Sequence, residues 1–296
     1  MTTNGYFNSL PFIGAMEIVK NIPELRLRVK EAKKNGKTVG FVPTMGFLHE
    51  GHLSLVRRAA KDNCETVVSI FVNPTQFGPN EDYDAYPRDL DRDEALLNEE
   101  GVNYLFFPSV EEMYPDGFSS AVKVTGLTDG LCGAKRPGHF EGVTTIVAKL
   151  LSIVAPDNIY MGMKDYQQFK VVSRMVKDLN IPCKVNGVEI IREHDGLAMS
   201  SRNVLLQNGE RKSALSLYNS FHVVQKLIDQ GIVSSDAVIR EIAAYIRSHE
   251  NTRVDYIEFV DTETLKPVKS LTGTFICMLA VYIGSVRLID NMVFNF

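Results

Sequence analysis

Two histidines three residues apart stand in the stretch Pro43-Thr44-Met45-Gly46-Phe47-Leu48-His49-Glu50-Gly51-His52. An apolar run at 38–42 precedes the stretch and reads as a short buried strand, while 53–60 reads as the opening of a helix. A strand-to-helix turn of this kind suits an anion, because a helix N-terminus offers unpaired N–H groups and a partial positive charge. Gly51 lets a ligand approach the backbone. Imidazoles placed there can donate to an α-phosphate whose charge rises in a pentacovalent state, and to a departing pyrophosphate. Alone, the pair also fits ordinary turn histidines or two metal ligands, although a metal pair wants a third partner and none is evident nearby.

Three further clusters point toward phosphate and an acid. Ala198-Met199-Ser200-Ser201-Arg202-Asn203 sets two hydroxyls beside a guanidinium, a compact phosphate clamp that by itself equally fits a surface loop with a capping serine. Gly162-Met163-Lys164-Asp165-Tyr166-Gln167-Gln168 follows one strand and opens a helix. Gly162 frees the backbone there, Lys164 supplies a point charge, Asp165 is expected to cap the helix, and Gln168 points to the same helix mouth. Gln76 lies in the turn after a second strand, and its neutral amide suits a hydroxy acid better than a phosphate. The segment 136–143, Arg-Pro-Gly-His-Phe-Glu-Gly-Val, reads as a closing loop that would keep water from a reactive anhydride. Asp93 is weighed as a magnesium ligand, read instead as a solvated helix charge and left outside the site.

The elements that position these residues alternate. Helices are expected at 21–35, 53–62 and 89–100, with strands at 38–42, 66–72 and 103–107. After an irregular stretch at 108–142 come a one-faced helix at 143–154, a strand at 158–161, a helix at 166–179 and a strand at 183–191. Such alternation implies a Rossmann-like parallel sheet with crossover helices, whose ligands bind at the carboxyl ends of the strands. From about 203 the character changes to two helices, 209–229 and 234–248, then strands at 254–260, 275–284 and 286–290. The expected α/β architecture is therefore a nucleotide- and acid-binding domain over 1–190 and a smaller α+β lid domain over 191–296. Residues 1–15 read as a dispensable extension.

Composition narrows the class. The chain has 296 residues, 45% hydrophobic and 23% charged, and its net charge of −4 gives no global footprint for nucleic acid. No apolar run is long enough to cross a bilayer. The four cysteines are scattered without metal-like spacing, which reads as reduced thiols in a cytosolic protein.

Together these ordered motifs resemble the pantothenate synthetase (pantoate–β-alanine ligase) family from about residue 16 to the C-terminus. The match is densest at 43–55, 71–78, 86–88, 136–143, 162–168 and 192–203. The resemblance implies the superfamily of nucleotidyltransferases with the histidine signature, and a reaction in two halves. ATP and (R)-pantoate would give pantoyl adenylate and pyrophosphate, and β-alanine would then give pantothenate and AMP. It also implies magnesium with the ATP, a cytoplasmic homodimer, and no nucleic-acid or membrane partner; the metal ligands are left unassigned.

Carried over by position, Met45, Gly46, His49, Gly51 and His52 would bind ATP, with His52 as proton donor and His49 beside it. Gly162, Met163, Lys164 and Asp165 would form the second ATP segment, with Lys164 on the phosphates and catalytic with the histidines. Ile191 would meet adenine through its backbone, Met199, Ser200, Ser201 and Arg202 would form the mobile phosphate loop, and Gln76 and Gln168 would hold pantoate. Phe47 stands where alanine is common in the family, and Met163 where glutamate, glutamine or lysine is. Two other readings stay open at this point: a nucleotidyltransferase of the same fold acting on a phosphorylated alcohol, and a nucleotide-sensing or tRNA-binding module without catalysis. Two neutral glutamines disfavour the first, and the acidic balance disfavours the second.

Overall fold

The computed structural model describes residues 15–296 apart from Asn80 and Asn208, so the expectation about the leading segment falls almost wholly outside the described residues. In chain order the first part runs β1 (Glu17–Val19), α1 (Ile22–Lys34), β2 (Val39–Thr44), α2 (Glu50–Asp62), β3 (Glu65–Ile70), α3 (Leu90–Glu99) and β4 (Tyr104–Phe106). It continues with α4 (Val110–Met113), α5 (Leu131–Lys135), α6 (His139–Val154), β5 (Asn158–Gly162), α7 (Tyr166–Asp178) and β6 (Lys184–Val188). The second part comprises α8 (Glu210–Asp229), α9 (Ser235–Arg247), β7 (Thr252–Val260), β8 (Thr274–Ile283) and β9 (Val286–Asn295).

The first six strands form one parallel sheet in the order β1-β4-β3-β2-β5-β6. β2 and β3 are buried along nearly their whole length, as expected of strands covered by helices on both faces. From β2 the winding goes one way through β3 and β4 and the other way through β5 and β6. The switch point therefore lies between β2 and β5, where crossover connections diverge and leave a crevice beyond the strand ends. The sequence puts its two richest turns at those two strand ends.

β7, β8 and β9 form a separate antiparallel sheet with β8 in the middle. Side chains along β8 alternate between two cores, as the period of two requires. Phe275, Cys277, Leu279, Val281 and Ile283 pack in one core with residues of α8 and α9. Ile276, Met278 and Ala280 pack on the other side with Leu131 of α5 and Tyr166 of α7. The small sheet thus seats one face on its own helices and the other on the first sheet's helices.

Four expectations need correction. β1 was not foreseen, because three residues carry too little periodicity. Residues 108–142 are not wholly irregular, since α4 and α5 lie inside them. α6 begins at His139 rather than Val143, so 136–143 is mostly the first turn of a buried helix and not a free closing loop. β9 runs on to Asn295, five residues past the expected end, and the added length carries Asn291, which donates to the carbonyls of Met163 and Lys164.

Candidate active site

The histidine turn is built by unusual backbone. Gly46 and Phe47 both have positive φ, 82° and 50°, and for a phenylalanine this conformation costs on the order of 1–2 kcal/mol. The compensation comes from Asp93 on α3, whose carboxylate accepts the N–H of Phe47 and of Leu48, each at 2.7 Å. Asp93 is only 1% exposed, so it is not the solvated charge expected from sequence. Burial pushes its carboxyl up, opposed by those two N–H groups. Arg92 lies over the Phe47 ring at 5.3 Å, and that ring takes no part in the cavity wall.

His49 and His52 are locked in one tautomer by the first turn of α2. The Nδ1 of His49 accepts the N–H of Gly51 at 3.1 Å, and the Nδ1 of His52 accepts the N–H of His49 at 3.3 Å. With Nδ1 accepting on each ring, the proton of a neutral imidazole sits on Nε2. Both rings are neutral: burial, then the nearby Lys164, holds His49 down at about 4. His52 is driven well below the usual imidazole value by burial, then by His49 and Lys164. The ring centroids are 4.1 Å apart. Gly51 is dictated by the His49 ring, because a β-carbon there would lie 2.8 Å from His49 Cε1.

β5 delivers the second segment. Gly162 ends the strand, and Met163–Asp165 make one 3₁₀ turn before α7. Lys164 and Gln168 face the same cavity as the histidines. Asp165 occupies the capping position, yet its carboxylate makes no capping bond, contrary to expectation. Gln167, not singled out from sequence, is buried and structural, donating to the carbonyls of Leu127 and Gly130.

The third segment comes over the top. Ile191 accepts the N–H of Met199 at 3.0 Å, and Ser201 Oγ donates to the carbonyl of Phe47 at 3.1 Å, docking the loop on the histidine turn. Arg202 is not free as expected of a phosphate clamp: it makes a bidentate pair with Asp82 at 2.7 and 2.8 Å. Arg136 is likewise paired with Glu81.

Beside the histidine turn, Gln76 sits in a short turn after β3 and is held by neighbours that sequence reasoning missed. Buried Asn73 donates to Gln76 Oε1 and to the carbonyl of Gly142, both at 3.2 Å. That approach of turn to helix requires glycine, since a β-carbon at 142 would lie 2.4 Å from the carbonyl oxygen of Thr75. His139 Nδ1 lies 2.8 Å from the carbonyl of Gln76, which fixes the hydrogen on Nδ1. Burial and then Arg136 hold this imidazole neutral, down at about 4. The signal for Asn73 was its place just before Pro74 at a strand end, and that for His139 was the glycine-flanked start of an apolar helix.

All three segments and the glutamine wall converge on one cavity of about 230 Å³. It is lined by Met45, His49, Gly51, His52, Gln76, Gly162, Lys164, Asp165, Gln168, Ile191 and residues 199–202. Gly46 and Met163, also predicted for ATP, do not line it: Gly46 faces Ile70 and Asp93, and Met163 lies against Gly187. Unpredicted residues in the wall include Asn73, Tyr86 and His139, with apolar Phe71, Val143 and Val147. The wall thus combines N–H and cationic donors with apolar side chains and neutral amides. Such a wall suits a ligand with both anionic and apolar parts.

Among the described residues, no group of three or more His, Cys, Asp or Glu is arranged to hold a metal ion. The Asp93 carboxylate is committed to two main-chain N–H groups. The donor set therefore fits a magnesium ion carried on phosphate oxygens and water, which needs few protein ligands, better than a resident ion in a protein cage.

The chain is similar to known proteins over nearly its whole length. The family model described as pantoate-beta-alanine ligase matches residues 17–293. A pantothenate synthetase of Caldicellulosiruptor saccharolyticus is 52% identical over 278 residues, covering 94% of this chain and 99% of the relative. One of Fervidobacterium nodosum is 53% identical over 280 residues, covering 95% and 100%. The crystal structure of pantothenate synthetase from Thermus thermophilus superposes with a TM-score of 0.88 at 48% identity, covering 94% of this chain and 99% of that one. The pantoate-beta-alanine ligase of Francisella tularensis, complexed with beta-gamma ATP and beta-alanine, does so with a TM-score of 0.78 at 36% identity, covering 94% and 98%.

Proposed function

This chain belongs to the pantoate–β-alanine ligase family, and from that premise we propose how its own residues share the work. The chain is an ATP-dependent ligase that joins pantoate to β-alanine through an amide bond. The proposed route has two steps. A carboxylate oxygen of pantoate bonds to the α-phosphorus as the bond to pyrophosphate breaks. The amine of β-alanine then bonds to the acyl carbon, AMP leaves with the electrons of the acyl C–O bond, and the amine loses a proton.

One observation carries the reading: the β2 and β5 turns meet at the switch point, with Nε2–H histidines, Lys164, Gln76 and Gln168 all lining one cavity. His49 and His52 are neutral donors, so they offset charge growing on the α-phosphate by hydrogen bonding, and no imidazolium is needed. Met45, Gly51, Gly162, Ile191 and Met199 shape the nucleotide side. Lys164, Ser200, Ser201 and Arg202 hold the triphosphate; Arg202 does so by exchanging the Asp82 carboxylate for phosphate. Gln76, oriented by Asn73 and donating to Met45 Sδ at 3.0 Å, and Gln168 hold pantoate in line with the leaving group. Magnesium, arriving on ATP, would neutralise the phosphate oxygens beside Lys164. Residues 191–296 are proposed as the lid, with the boundary near 190.

The chain is further proposed to act as a cytoplasmic homodimer, a reading taken from the resemblance. Cys64, Cys132, Cys183 and Cys277 are free thiols, which accords with a reducing compartment. No described helix is long and apolar enough to cross a membrane. The assay that tests the function is product analysis. AMP and pyrophosphate should form only with pantoate present, and amide only after β-alanine is added. ADP with phosphate would rule out the adenylate route.

A further inference from the structure

The last strand of the chain reaches the site from the other sheet. Asn291 on β9 is 5% exposed, and its Nδ2 donates to the carbonyl of Met163 at 3.0 Å and to that of Lys164 at 2.9 Å. Both partners are obligate acceptors, so this end of the amide is the nitrogen. Its neighbour Asp290, 2% exposed, accepts from Arg192 Nη1 at 2.7 Å and Nη2 at 3.0 Å. The same Nη1 donates to the carbonyl of Gly196 at 3.1 Å, bracing the arm that leads into the phosphate loop. Two consecutive residues of β9 therefore grip the two segments that carry the site's triphosphate-side groups.

The turn that Asn291 holds gets no help from side-chain caps. Met163–Asp165 is a single 3₁₀ turn that starts from a glycine, and Asp165 at its end makes no capping bond to α7. Short turns of this type have poor internal hydrogen-bond geometry, so an outside donor to two adjacent carbonyls sets their orientation.

We propose that Asn291 is a positioning residue that fixes the Lys164 main chain, so that its ammonium meets the triphosphate during adenylate formation. Asp290 holds the Arg192 arm in step with it. This rests on the reading of Lys164 as the phosphate cation. It has a consequence that a merely structural role lacks. Pyrophosphate has left before β-alanine attacks, so loss of Asn291 should slow the first half-reaction and spare the second.

The experiment uses the full chain with Asn291→Ala and Asn291→Ser, and Leu288→Ala as a control in the core beside α8. Pantoate-dependent exchange of pyrophosphate into ATP reads the first half-reaction. Amide formation from supplied pantoyl adenylate and β-alanine reads the second. For Asn291→Ala the exchange rate should fall about 10- to 100-fold, as expected for a misplaced catalytic group, while amide formation from the adenylate stays near wild type. Asn291→Ser retains one donor and should recover part of the loss; it also decides the matter if the alanine variant does not fold. Leu288→Ala should lower the unfolding temperature without changing the ratio of the two rates. Equal losses in both half-reactions, or unchanged exchange in both Asn291 variants, would overturn the proposal. ADP production by the wild type would instead overturn the adenylate reading beneath it, whatever the variants do.

Discussion

The carboxylate of Asp93 accepts the main-chain N–H of Phe47 at 2.7 Å across 46 residues of sequence. This bond, with its twin to Leu48, holds a left-handed phenylalanine immediately before the two histidines. The turn's shape is thus set from α3, an element that lines none of the cavity.

Replacing Asp93 by alanine leaves two main-chain donors without their acceptor. The expected cost is about 1–3 kcal/mol of stability, with a disproportionate loss of adenylate formation as the turn relaxes. Thermal unfolding and pyrophosphate exchange measured together check this. Wild-type values in both would show that the turn holds its shape unaided.

His52→Ala removes the Nε2–H donor proposed to meet the α-phosphate. By analogy with loss of a single oxyanion donor, adenylate formation should fall roughly 10²- to 10³-fold. His52→Gln, which keeps an N–H near the same place, should lose less. Circular dichroism guards against misfolding, because the ring also accepts the His49 N–H. Near-normal turnover in the alanine variant would remove His52 from the role assigned to it.

The pH dependence follows from the same burial. His49 and His139 are held down at about 4 and His52 is driven lower than its ordinary 6.5, in each case by burial first. The unfolded chain then binds more protons than the folded one between about 6.5 and 4, so stability rises with pH in that window. It is fully present above 6.5 and is lost as pH falls toward 4. Because the rings stay neutral, kcat/KM should show no histidine titration between about pH 8 and 6, and its acid limb should lie below about 5. An inflection near 6.5 that disappears in His49→Asn or His52→Gln would contradict neutral donors.

Arg202, proposed to hold phosphate, is paired with Asp82. The pair is partly exposed, 27% and 29% at the side chains, so its strength is about 0.2–1 kcal/mol. Asp82→Asn should therefore lower the KM for ATP, by about fivefold at most, while Arg202→Ala raises it. Steady-state kinetics at low and high salt separates the two effects, since screening weakens the wild-type pair. A raised KM in Asp82→Asn would mean that the carboxylate presents the arginine and does not compete for it.

Much of this protein was settled by local sequence. The β-branched run of β3, the glycine closing α1 and the apolar stripe of α6 are short-range signals of dihedral preference and periodicity, and they gave the alternation that makes a parallel sheet. His49, His52, Lys164 and Gln168 were legible because each stands at a strand-to-helix turn, where the fold class already places ligands. What only the tertiary structure decided are the pairings that span the chain. Asp93 looks like any helix carboxylate until α3 lies against the histidine turn. Arg136 and His139 look like loop residues until Gly142 lets the Gln76 turn close on α6. Asn291 lies 127 residues from the Lys164 carbonyl that it holds. No local preference encodes such a bond, because its partner is chosen by how two sheets seat on shared helices, and burial then sets the charge of each imidazole between them.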